Sequence, residues 1–234
     1  MRYIIFSDIH GNNFAFDGFL KDIKNIQYDR VIFLGDFIGY YYSPEIIIQT
    51  CIDMGFKCLL GNHDSYFLKM IDGEIKESEL VSRYGYSYSM AKKTVSENSI
   101  SFLRSLSPLY IEQSNSDCKI LFCHGSPASA LNGRIYPDSS LVKYYPKVLK
   151  YTYVIFGHTH HKMTKKIEKI TFINPGSMGQ QRDGKGCSYV LLDTENGEIE
   201  FKTITYDIDE LEKQVDSFDN GNPRLKKVLR RSLA

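Results

Sequence analysis

The chain is 234 residues long, with 29 Lys and Arg against 28 Asp and Glu, a formal net charge of +1. Apolar residues make up 42%, and the 13% aromatic share comes from 17 Tyr and 14 Phe. Balanced charge and abundant aromatics exclude intrinsic disorder and give no ground for a broad nucleic-acid or membrane surface. No apolar run approaches the roughly 18 residues of a membrane span, and the first residues, Met1–Asp8, do not read as a signal peptide. The five cysteines, Cys51, Cys58, Cys118, Cys123 and Cys187, are odd in number and form no CxxC pair. A disulfide framework is therefore not expected, and a reducing cytoplasm is the expected location.

In chain order, Tyr3–Phe6 reads as a strand and Asn13–Asn25 as an amphipathic helix, with Phe16, Phe19, Leu20 and Ile23 at helical spacing. Val31–Leu34 is a second strand. Pro44 opens a helix running to about Met54, where a missing N–H costs little. Lys57–Leu60 is a third strand. Residues 65–107 read as mostly helical, broken at Gly73 and Gly85. Strand character returns over 109–123 and ends in Ile120–Cys123. Val142–Lys150 is expected as a helix and Tyr153–Phe156 as a buried strand. Met163–Ile167 with Ile170–Ile173, and Ser188–Asp193 with Glu198–Tyr206, read as two hairpins turned at Glu168-Lys169 and Asn196-Gly197. The tail, Pro223–Leu233, reads as a short helix capped by Asn222. Strands alternating with helices indicate βαβ units and parallel pairing. The expected organisation is one domain over 1–234, with a helical tail from about 207.

Polar residues gather just after the apolar strands. Asp8-Ile9-His10-Gly11-Asn12 follows the first, Gly35-Asp36-Phe37-Ile38-Gly39 the second, and Gly61-Asn62-His63-Asp64 the third. His124-Gly125 follows Cys123, and Gly157-His158-Thr159-His160-His161 follows Phe156. In an open α/β sheet, ligands bind at the carboxyl ends of the strands, so five distant segments converge on one edge. Carboxylates, imidazoles and an amide suit Mn, Fe or Zn. So many donors exceed one site but serve two ions sharing a carboxylate, and Asp36 is the natural bridge. In the last motif, His158 and His160 are expected on one side of an extended segment.

This ordered set resembles the calcineurin-like metallophosphoesterase superfamily, whose pattern runs D-x-H, G-D-x-x-G, G-N-H-[DE], H, G-H-x-H. The resemblance covers residues 8–160. His124-Gly125-Ser126-Pro127 and Asn174-Pro175-Gly176-Ser177-Met178-Gly179 extend it toward the small stand-alone bacterial and archaeal branch. It implies an α/β sandwich of two mixed β-sheets flanked by helices, with C-terminal β-hairpins. It implies that Asp8, His10, Asp36 and His160 bind one metal, and that Asp36, Asn62, His124 and His158 bind a second. His63 would protonate the leaving oxygen, oriented by Asp64. Two divalent transition metals, Mn foremost with Fe, Zn or Ni as alternatives, would hold a bridging hydroxide that attacks a small phosphoester or nucleotide.

The sequence departs from the protein-phosphatase members of that superfamily, which follow Gly-Asp with an arginine that grips phosphate. Here the run is Gly35-Asp36-Phe37-Ile38-Gly39-Tyr40-Tyr41-Tyr42. Phosphate binding then falls to the metals, Asn62 and His63, with Arg182 as a candidate clamp and Tyr40 as a candidate stacking surface. His161 is expected on the surface. The basic tail residues Arg224, Lys226, Lys227, Arg230 and Arg231 read as a solvated helix face. A metal-free interaction scaffold and a nuclease subunit are the competing readings. The intact histidine set argues against the first, and the absence of a basic stripe against the second. A homo-oligomer is left open.

Overall fold

The computed structural model describes residues 1–232. Two five-stranded mixed sheets pack face to face. Strand β1 (Arg2–Phe6) is followed by helix α1 (Asn13–Ile23), β2 (Arg30–Phe33), α2 (Pro44–Asp53) and the short β3 (Lys57–Cys58). Four helices come next: α3 (Asn62–Ile71), α4 (Glu77–Tyr84), α5 (Ser87–Thr94) and α6 (Glu97–Ser105). Then follow β4 (Leu109–Asn115), β5 (Cys118–Cys123), a single turn α7 (Tyr145–Val148), β6 (Tyr153–Phe156), β7 (Lys162–Ile167) and β8 (Ile170–Pro175). The chain ends with β9 (Ser188–Asp193), β10 (Ile199–Thr203), α8 (Ile208–Phe218) and α9 (Pro223–Leu229). The sheet orders are β10-β9-β1-β2-β3 and β4-β5-β6-β8-β7. Strands β1, β2 and β3 are parallel, as are β5, β6 and β8.

Side-chain alternation builds the layers. Tyr3 and Ile5 of β1 point into the space between the sheets, against Ile120 and Phe122 of β5 and Ile155 of β6. Ile4 and Phe6 point the other way, into the helical layer. There Phe6 stacks on Phe33 at 4.5 Å and meets Phe19 at 4.6 Å. Leu121, Val154 and Phe172 face a thinner outer layer with Tyr144, Val148 and Met163. Because both faces are covered, the parallel strands read as unbroken apolar runs.

The two sheets also lock together at their carboxyl ends. The His124 ring donates from Nδ1 to the Leu34 carbonyl at 2.8 Å, and the His158 amide donates to Asp8 Oδ2 at 3.0 Å. All five polar motifs therefore meet on one edge.

Several local expectations are corrected. The helix expected over Val142–Lys150 is a 3-10 turn, Val142–Tyr144, followed by the one-turn α7. Pro146 explains the break, since its ring would clash with a carbonyl one turn earlier in a continuous helix. Helix α3 starts at Asn62 rather than 65, so Asn62, His63 and Asp64 occupy its first turn. Strand β10 stops at Thr203. Helix α8 was not expected as a separate element, although Asp207 caps it and Leu211 and Val215 form its buried stripe. Helix α9 ends at Leu229 and runs into a 3-10 turn, Arg230–Ser232. The expected helix end at Leu233 lies outside the described residues. The two C-terminal hairpins form as expected but join different sheets, β7–β8 in one and β9–β10 in the other.

Candidate metal centre

Asp8, His10, Asp36, Asn62, His63, Asp64, His124, His158 and His160 are all buried at this edge. Their donor atoms form overlapping groups: Asp8, His10 and His160; Asp36, His124 and His158; and His10, Asp36 and His63. One oxygen, Asp36 Oδ2, lies 3.7 Å from His10 Nε2 and 3.5 Å from His124 Nε2. Asp8 Oδ1 lies 3.3 Å from His160 Nε2. These are spacings that ligands about 2.1 Å from a common centre adopt.

Backbone carbonyls fix the tautomers. His10 Nδ1 faces the Ile38 carbonyl at 2.9 Å, His124 Nδ1 faces that of Leu34 at 2.8 Å, and His160 Nδ1 faces that of Gln180 at 2.6 Å. A carbonyl only accepts, so each Nδ1 carries the proton and donates it. Burial pushes all three imidazoles down, so they are neutral and each Nε2 presents a lone pair. His10 Nε2 and His160 Nε2 nevertheless face each other at 3.1 Å, two acceptors with no proton between them. Asp8 Oδ1 is buried and has no hydrogen-bond partner. Converging, unprotonated donors of mixed carboxylate and imidazole type fit divalent transition ions, with the carbonyls as the outer partners that aim each ring.

Electrostatics agree. Burial, and then the neighbouring charges of Asp8 and Asp64, push the Asp36 carboxyl well above its usual range. Burial pushes His158 down to about 3.

The backbone itself is bent to this purpose. Asp8, His10, Asp36, Tyr40, His158 and His160 adopt left-handed conformations with φ between 52° and 68°. Among the described residues, the only other non-glycine cases are Glu168 and Asn220. This corrects the expected extended Gly-His-x-His segment. Two left-handed residues send His158 toward Asp36 and His124, and His160 toward Asp8 and His10. The Asn174–Gly179 segment braces these loops. The Asn174 amide donates to the Gly157 carbonyl at 2.9 Å, and the Ser177 hydroxyl donates to the Asp8 carbonyl at 2.7 Å.

The expected contact between Asp64 and the His63 ring is absent. Asp64 instead accepts from the backbone amides of Asp36, Ile38 and Gly61 at 2.9, 3.1 and 3.0 Å, tying the second and third motifs together. Burial pushes its carboxyl up to about 6 despite those donors. His63 Nδ1 pairs with the Tyr88 hydroxyl at 2.8 Å. Gly39 makes room for this ring, because a Cβ there would stand 2.4 Å from His63 Nδ1.

Above the cluster lies a cleft of about 180 Å³, lined by Asp36, Asn62, His63, His158 and His160 together with aromatic and basic residues. Tyr40 is the one member of its triplet here, with its ring 4.7 Å from His10 and 5.0 Å from His63. Tyr41 and Tyr42 are core, and the Tyr42 hydroxyl donates to Asp219. Arg182 donates to the Tyr40 hydroxyl at 3.0 Å. Arg134 was missed in the sequence. Its Nε donates to His158 Nε2 at 3.1 Å from the β5–β6 loop, where no local pattern marks it. Tyr66, Tyr84 and Tyr136 also line the cleft. His161 lies partly buried against Tyr136, outside the cluster.

The family model for the calcineurin-like phosphoesterase superfamily domain matches residues 1–197. The chain belongs to the calcineurin-like phosphoesterase superfamily. It is 32% identical over 224 residues to an uncharacterized protein of Methanocaldococcus jannaschii, covering 87% of both chains. Its fold matches a metallophosphoesterase from Sphaerobacter thermophilus with a TM-score of 0.82, at 22% identity and with 99% and 100% of the two chains covered. It also matches a hypothetical protein from Pyrococcus horikoshii with a TM-score of 0.82, at 18% identity over 97% of each chain. Membership of this superfamily implies divalent metal ions, and the Asp and His groups described above could hold them. No helix among the described residues is long and apolar enough to cross a membrane.

Proposed function

We propose that this superfamily member is a dinuclear metal-dependent hydrolase of small phosphoesters, working in the cytoplasm as one catalytic unit over 1–234. The observation that carries the reading is Asp36 standing between two donor groups, its Oδ2 within 3.7 Å of His10 and 3.5 Å of His124. Asp8, His10, Asp36 and His160 would hold one ion, and Asp36, Asn62, His124 and His158 the other. Bound there, divalent ions polarise phosphoryl oxygens and make water a nucleophile at neutral pH. Mn is the ion assigned first, with Fe, Zn and Ni to be compared.

The chain's own residues do the rest. His63, held through Nδ1 by Tyr88, presents its other nitrogen as the acid that protonates the leaving oxygen. Burial and then His10 push its pKa down, so once protonated the ring gives its proton up readily to a leaving oxygen. Arg182 and Arg134 supply the guanidinium groups that the Gly-Asp motif lacks, and both can fork onto phosphate oxygens. Tyr40, Tyr66, Tyr84 and Tyr136 form an aromatic wall that excludes water and receives the organic part of the ester. The near-zero net charge favours small phosphoesters over membranes or nucleic acids.

The test is hydrolysis of p-nitrophenyl phosphate and bis(p-nitrophenyl) phosphate with each metal added and then chelated. Turnover that appears with metal and vanishes with chelator is expected. No metal-dependent turnover on any phosphoester panel would end this reading.

A further inference from the structure

A second cavity of about 370 Å³ adjoins the metal cleft. Its walls carry Arg83, Arg182, Arg224 and Arg231 with Tyr40 and Tyr84, and no Asp or Glu. Tyr40, Tyr84 and Arg182 line both spaces, so the groove and the cleft are neighbours that share these three side chains as a wall. Among the described residues, none of the four arginines pairs with a carboxylate. Other basic residues of the tail behave differently. Lys226 pairs with Asp216 at 2.5 Å, and Arg230 binds Asp209 and Glu212 at 2.5 and 2.9 Å. The basic tail is therefore not a uniform solvated face. Two of its charges are neutralised, and two are left facing the groove.

This placement is built by packing. Asn222 caps α9, and Leu225 and Leu229 bury against Tyr41, Tyr42, Leu211 and Val215. That seats the start and end of the α9 segment, with Arg224 and Arg231, over the groove. Arg83 arrives from the last turn of α4. Four like charges lining one groove, with no carboxylate among them, favour an anion there. Guanidinium forks match phosphate oxygens in particular.

We propose that this groove binds a second phosphoryl group of the substrate, so that the preferred substrate carries one phosphoester for cleavage and a further phosphate a few bonds away. The proposal rests on the phosphoesterase reading of the cleft. The groove is the specificity element: Arg182 stands at the junction, and Arg83, Arg224 and Arg231 hold the distal phosphate.

The test uses two esters with the same leaving group, thymidine 5′-(p-nitrophenyl phosphate) with and without a 3′-phosphate, on the Mn-saturated full chain. The 3′-phosphate should raise kcat/KM about tenfold or more, chiefly through KM. That advantage should vanish in Arg224→Ala/Arg231→Ala and in Arg83→Ala, which lies outside the tail and guards against a misfolded α9. Lys227→Ala on the same helix should retain it. Equal turnover of the two esters, or an advantage that survives both groove variants, would overturn the proposal. Turnover of neither ester counts against the hydrolase reading alone. The groove is then decided by calorimetry with thymidine 3′,5′-bisphosphate against thymidine 5′-phosphate. A preference for the bisphosphate that the double variant loses supports the proposal, and no preference overturns it. Salt-sensitive binding of a single-stranded oligonucleotide without bisphosphate preference would also overturn it, in favour of a nucleic-acid surface.

Discussion

The floor and the rim of the cleft are built by different means. On the floor, His10, His124 and His160 each donate a ring N–H to a backbone carbonyl, and Asp64 collects three backbone amides. The main chain dictates every angle. On the rim, Arg182 holds Tyr40 and Arg134 holds His158, in both cases side chain to side chain. Long side chains of this kind can swing when a ligand replaces their partner. The donor geometry of the floor is therefore fixed by the fold, and the rim is left to groups that can adjust.

The largest effect should come from breaking the floor at its shared point. Asp36→Asn should abolish turnover and lower metal content from about two ions per chain to less than one by elemental analysis. The same variant, stripped of metal, should melt no lower than the parent, because it removes a charge buried beside Asp8 and Asp64. Next comes the boundary between floor and rim. His63→Ala should cut turnover by about 10²–10⁴ while leaving metal content near the parent's, and metal loss there would contradict the acid role. Tyr88→Phe should show a smaller loss of the same kind. On the rim proper, Arg182→Ala should raise KM about tenfold with little change in kcat, a difference of ~1.4 kcal/mol in steady-state assays.

The mildest test is acidity without metal. His10, His63, His124, His158 and His160 all resist protonation in the folded chain, whereas the unfolded imidazoles take protons below pH 6.5. The unfolded state thus binds more protons, so the melting temperature of the chelated protein should fall as pH drops from 7 toward 3. His158→Asn should flatten that slope.

Much of the floor was legible because metal chemistry restricts residue type and places it after a strand. Asp8-x-His10, Gly35-Asp36, Gly61-Asn62-His63 and His158-x-His160 sit where apolar runs end, and that pairing of pattern and position survives in the folded chain. The rim was legible only at Tyr40 and Arg182, which stand beside recognisable motifs. Arg134 lies in a loop with no period, and Tyr66, Tyr84 and Tyr88 look like ordinary packing residues of amphipathic helices. Only tertiary structure turns them toward His63. The role of Asp64 was misread for a related reason: adjacency to His63 suggested a side-chain contact, but the first turn of a helix points its acidic residue at free backbone amides. Helix α8 was expected only as part of a helical tail from about 207, although Asp207 and its apolar spacing mark it as an element of its own.

The left-handed backbone at Asp8, His10, Asp36, Tyr40, His158 and His160 has a consequence for directed evolution. Each such residue costs about 1 kcal/mol or more relative to a relaxed conformation, and glycine would relieve that cost. A selection for heat resistance alone would thus press glycine into the very positions that make the site, at His158 most of all, where the ring is also held against its own ionisation. Such a screen would erase the donor set that the proposed hydrolysis needs, so under that reading stability and activity must be selected together.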